Sequence, residues 1–99
     1  MADYRFEREC RTPSSEAYLI AAGDEQVGRV DIHFTSSIVY ATLCVSENVT
    51  SDDVQDLIDA IDEELIMSAD VARDDFIVTV YQGREVGVFS DEEFEEEEE

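Results

Sequence analysis

Apolar and polar residues alternate with a period of two at the start of the chain. Tyr4, Phe6, Arg8 and Cys10 interleave with Arg5, Glu7, Glu9 and Arg11, which predicts a strand with charge gathered on one face. Thr12-Pro13-Ser14-Ser15 ends it, because Pro lacks the N–H a ladder needs and Ser favours turns. Residues 17–22 are a short apolar run, followed by the turn residues Gly23-Asp24-Glu25-Gln26. From Val27 to Phe34 the alternation returns: Val30, Ile32 and Phe34 face one way, and Arg29, Asp31 and His33 the other. After a turn at Thr35-Ser36-Ser37, residues 38–45 are apolar at both parities. That pattern is expected of a central strand covered on both faces, or of one at a dimer interface.

The period then changes to that of a helix. Val54, Leu57, Ile58, Ile61 and Leu65 recur at i, i+3, i+4, i+7 and i+11, forming one apolar stripe. Thr50 or Ser51 is the N-cap, and Thr50 with Asp53 matches a capping box in which Asp replaces the usual Glu. The helix is predicted to reach about Ser68, with residues 70–75 a loop. Residues 76–81 read as a strand, and Gln82-Gly83 as a tight turn into a last strand over 84–89. The predicted order is β-β-β-β-α-β-β. Short links between neighbouring strands imply an antiparallel meander, with one long amphipathic helix packed on one face. The expected fold class is therefore two-layer α+β. Residues 1–90 are expected to form this single domain, and residues 91–99 a disordered acidic tail.

Composition narrows what such a domain can do. A chain of 99 residues, 43% of them hydrophobic, can bury roughly 60–68% of its unfolded surface without metal or disulfide staples. It holds no apolar run long enough for a transmembrane helix. Its first seven residues contain no apolar h-region, so no secretory signal and a cytoplasmic location are expected. Cys10 and Cys44 match neither a metal knuckle nor a redox CxxC; they are expected to be reduced, partly buried thiols.

Charge changes the picture most. Acids outnumber bases 27 to 6, the net charge is −21, and all six basic residues are Arg. Residues 1–35 hold seven acids against four Arg, residues 36–90 twelve against two, and residues 91–99 eight acids and one Phe. Such a surface repels nucleic acid and anionic lipid, which are recognised through cationic patches. Direct binding to nucleic acid or membrane is therefore not expected. Acid excess with Lys eliminated resembles the proteomes of salt-in extreme halophiles. The resemblance implies a charge that serves solvation, its repulsion screened within about 3 Å at molar salt.

No catalytic, cofactor or metal residue is assigned. His33 shares a face with Asp31, yet i and i+2 neighbours on a strand lie about 7 Å apart, too far for a direct orienting hydrogen bond. Cys44 shares its face with Ile38, Tyr40 and Thr42, an apolar setting that keeps a thiol inert. Asp52-Asp53-Val54-Gln55-Asp56 lacks the Gly and the distal Glu of a calcium loop. The strand-strand-helix order slightly resembles the cofactor half of acetyltransferases, which implies a Gly-rich basic loop around a pyrophosphate. Ser46-Glu47-Asn48-Val49-Thr50 supplies neither Gly nor Arg, so no such cofactor is expected.

What stands out is acid. Asp52, Asp56, Asp59 and Glu63 form a continuous stripe opposite the apolar one, with no Arg placed to neutralise it. Each like-charge pair costs roughly 0.2–0.5 kcal/mol at low salt. In the tail, Phe94 is the one apolar residue, and a lone aromatic can enter a pocket while carboxylates meet its basic rim. The resulting expectation is a small non-enzymatic interaction module. It would bind a basic protein partner through Asp52, Asp56, Asp59, Glu63 and Phe94, as a homodimer or within a larger assembly. One alternative is a small-ligand binder or minimal enzyme using His33, Asp31, Arg29 and Tyr40 at a dimer-interface pocket. Another is a polyanion mimic that occupies a nucleic-acid-binding site.

Overall fold

In the computed structural model, which describes residues 4–66 and 75–91, the two alternating segments and the two apolar runs form four strands. They are β1 (Tyr4–Thr12), β2 (Ser15–Ala22), β3 (Glu25–Phe34) and β4 (Ile38–Val45). Only two or three residues join each strand to the next, so the chain reverses at each link. Neighbours accordingly pair antiparallel and in chain order. Gly23, at φ +64°, supplies the left-handed residue of the β2–β3 turn.

Thr50 then opens helix α1 (Ser51–Ile61). Its hydroxyl accepts from the Asp53 N–H at 3.1 Å, and Asp53 Oδ2 accepts from the Thr50 N–H at 3.3 Å. This is a reciprocal capping box built with Asp. A π-helical turn (Asp62–Ile66) continues the helix. Leu57, Ile61, Leu65 and Ile66 are buried against Ile20, Val30, Ile32, Val39 and Leu43 in one core. Full burial of each such side chain is worth about 1.5–3 kcal/mol. Ser68 and residues 70–74 of the expected loop lie outside the described residues.

The fold is α+β, but the sheet is mixed, not a pure antiparallel meander. Strand β5 (Asp75–Gln82) pairs parallel to β4, and the sheet order is β1-β2-β3-β4-β5. The reason is the length of the connection. The chain between Val45 and Asp75 includes a helix, which carries it back along β4 to the end where that strand began.

The last strand expected over 84–89 does not form, and residues 84–90 carry no regular structure. A hairpin at Gln82-Gly83 would need the chain to turn back beside β5. Instead the Gly83 N–H donates to Val45 O at 3.0 Å, extending the β4–β5 ladder past the end of the strand. Val86, Val88 and Phe89 are left 92%, 74% and 68% exposed.

Two further expectations are corrected. Within one copy and among the described residues, β4 is covered on one face: Val39, Ala41, Leu43 and Val45 are buried toward the helix, whereas Tyr40 is 43% exposed on the open face. This removes coverage on both faces within the copy and leaves the interface alternative for this strand. In β1 the register passes from Arg8↔Tyr18 to Cys10↔Ala17, so Glu9 is an extra, bulged residue. The bulge turns Cys10 away from the face shared by Tyr4, Phe6 and Arg8. Cys10 is a free, exposed thiol, and Cys44 a free, half-buried one. Among the described residues, no helix is long and apolar enough to cross a membrane.

Candidate functional site

The acidic stripe is built by α1 and its π-helical continuation. Packing buries Leu57 and Ile61, and the helical period leaves Asp52, Asp56, Asp59 and Glu63 exposed. Among the described residues, the ion pairs gather elsewhere. They join Arg5 to Glu7, Arg11 to Glu16, and Arg29 to both Glu9 and Asp31, all on β1, β2 and β3. None of these four pairs involves Asp52, Asp56, Asp59 or Glu63. The negative field of the helix reaches the neighbouring strand: Tyr4 on β1 has a raised pKa, first through burial and then through Asp53 and Asp56. Phe94 lies outside the described residues.

The polar face of β3 separates into two pairs. Arg29 Nη2 lies 3.1 Å from Glu9 Oε1 and 3.1 Å from Asp31 Oδ1. The hydrogen bond to Asp31 raises the Arg29 pKa, against the opposing effect of burial. His33 is exposed and sits opposite Ser15 on one side and Tyr40 on the other. Arg29 therefore holds Asp31, and His33 pairs with Tyr40; the four groups do not converge on one point.

A cleft of about 510 Å³ opens elsewhere, where β4 and β5 both end. Gly28 marks its floor. A Cβ there would lie 2.3 Å from Cys44 O and 3.2 Å from Val45 Cα, so only Gly lets β3 approach β4 this closely. The far wall is tied down by Gln82. Its Nε2 lies 2.7 Å from Val49 O, 3.1 Å from Ser46 O and 3.3 Å from Glu47 O, pinning the β4–α1 loop to the end of β5. Gln26, Ser46, Arg84, Glu85, Cys44 and Tyr81 are among the residues that line the cleft.

His33, Asp31 and Tyr40 do not line this cleft. Arg29 does, but its charge is already met by two carboxylates. The arrangement can hold a molecule by contact and hydrogen bonding. Sequence reasoning missed the cleft because its residues come from three separated strands. The one local signal was Gly28, which interrupts the side-chain alternation of β3. Among the described residues, no group of three or more His, Cys, Asp or Glu side chains is placed to hold a metal ion. No protein-family model matches the chain, and no curated protein and no solved structure is significantly similar to it.

Proposed function

We propose that the protein is a small acidic interaction module that binds a basic protein surface through the outer face of α1, with the tail and Phe94 adding to the contact. One observation carries this reading. The helix buries its apolar side and turns Asp52, Asp56, Asp59 and Glu63 to solvent, while the described ion pairs lie on β1, β2 and β3. An exposed acidic face attracts a cationic surface, speeds encounter with it and selects against acidic competitors. The same charge serves as a solvation shell in concentrated salt, which is the reading the absence of Lys supports.

The two roles separate in one experiment. Binding to an Arg-rich peptide is measured by calorimetry across a KCl series, for the full chain and for the variant D52N/D56N/D59N/E63Q. A docking face predicts binding that falls steeply with salt and is lost in the variant. Equal binding by both proteins ends the reading for the helix, and an unaltered F94A variant ends it for Phe94. A second reading rests on the cleft at the ends of β4 and β5: a small polar ligand held by Gln26, Ser46 and Arg84. A fragment screen followed by NMR would place its shifts around Gly28 if that reading holds.

A further inference from the structure

The two edges of the sheet are not alike. β1, at one edge, carries five charged side chains in nine residues. Charge of this kind stops an edge strand from pairing with another chain. β5, at the other edge, has the sequence DFIVTVYQ and carries a single charge, Asp75. Thr79, Val80 and Tyr81 on it are exposed, as is Ile77. Residues 76–83 and the β4-containing stretch 34–46 hold no charged residue at all, and β4 and β5 are neighbours. On a chain of net charge −21, this half of the sheet is where a second copy can approach without meeting a row of carboxylates.

We propose that β5 pairs antiparallel with β5 of a second copy, about a two-fold axis at Thr79, giving one continuous ten-stranded sheet. The register follows from self-complementarity. Centred on Thr79, it sets Ile77 opposite Tyr81 of the other copy, and Val78 opposite Val80. Aromatic and β-branched cross-strand pairs of this kind are favourable. The pairing also lengthens rows already present within each copy. Tyr40 lies beside Ile77, Thr42 beside Thr79, and Cys44 beside Tyr81. The two-fold therefore joins them into one row running Tyr40, Ile77, Tyr81, Cys44 across the junction, and a ladder of four Thr at its centre.

Charge is complementary as well. The same register brings Asp75, the one acid of the strand, opposite Gly83 of the other copy and next to its Arg84. A register shifted toward the start of the strand would instead bring the two Asp75 side chains together. Because the axis stands perpendicular to the sheet, both α1 helices lie on the same side of the dimer. This inference stands on β5 alone and does not depend on what the acidic face binds.

The test is a cysteine at the axis. In a C10S/C44S background, Thr79→Cys places two thiols on directly opposed residues, about 4.5–5.5 Å apart at Cα. That spacing is within the roughly 4.4–6.8 Å a disulfide spans. Mild oxidation of the full-length protein is followed by non-reducing electrophoresis, with Glu7→Cys on the opposite edge as control. The expected result is a covalent dimer from the T79C protein alone. Sedimentation velocity of the unmodified chain, in low and in molar KCl, is expected to give a dimer. In I77K/Y81K the dissociation constant should rise about tenfold or more, with the far-UV spectrum unchanged. A monomer in both salts would overturn the proposal. So would a dimer in which T79C cross-links no faster than E7C, or one that survives I77K/Y81K with a native spectrum.

Discussion

Replacing Gln82 by Ala tests the topology and the cleft together. Its amide carries two hydrogens, and three carbonyls of the β4–α1 loop lie within 3.3 Å of its nitrogen. Two bonds can be made at once, each worth about 1 kcal/mol net. The carbonyls are exposed and water can replace part of what is lost, so the expected cost is about 1–2 kcal/mol. For a domain of this size that lowers Tm by about 4–8 °C per kcal/mol. Gln82→Glu should be worse than Ala, because a carboxylate offers no donor and faces the same carbonyls. The assay is urea unfolding followed by circular dichroism, with Glu85→Gln as a surface control expected within about 0.5 kcal/mol of the parent. The geometry makes the result decisive. Were β5 antiparallel to β4, Gln82 would sit about 23 Å away, at the other end of the sheet, and its loss would cost nothing. A Q82A protein as stable as E85Q would refute the parallel pairing and the account of how the loop is held.

Four further outcomes follow from the packing and from the titration of two tyrosines. Gly28→Ala should cost about 1–3 kcal/mol or more in thermal melts, since its Cβ would meet backbone that cannot yield. Gly83→Ala, where a Cβ meets nothing within 4 Å, should be nearly neutral. Leu57→Ala empties a fully buried site between helix and sheet and should cost about 2–5 kcal/mol in urea unfolding, with the spread set by how far the core collapses. Tyr18 and Tyr4 both have pKa values raised above the ordinary 10.0, first through burial, with Glu16 adding to Tyr18. The unfolded phenols ionise first, so the stabilisation is complete below that pH and drains away as pH rises through the folded values. The urea midpoint should therefore decline in alkaline solution, and less so in Tyr18→Phe.

Much of the fold is local and was readable as such. Two alternating segments and two short apolar runs between Tyr4 and Val45 determined four strands, and two- or three-residue links determined that they reverse at each turn. Thr50 and Asp53 marked the start of the helix, because a capping box is a contact between residues three apart. The stripe Val54, Leu57, Ile58, Ile61 and Leu65 determined which side of the helix would be buried, and so left Asp52, Asp56, Asp59 and Glu63 outside. Cys10 was misplaced because a one-residue bulge at Glu9 reverses the facing of everything after it, and alternation alone does not reveal a bulge.

What only the tertiary structure decided concerns residues distant along the chain. The direction of β5 depends on how far the helical crossover carries the chain back, and a strand pattern reads the same in either direction. The absence of a final hairpin at 84–89 depends on Gly83 reaching Val45 and Gln82 reaching the loop after β4, contacts between residues more than 30 apart. The cleft is assembled from the ends of β3, β4 and β5 for the same reason. Sequence pattern reports how each segment is buried, since burial repeats with the period of its own element. Which segments meet, and at which ends, is set by packing among residues that the chain keeps far apart.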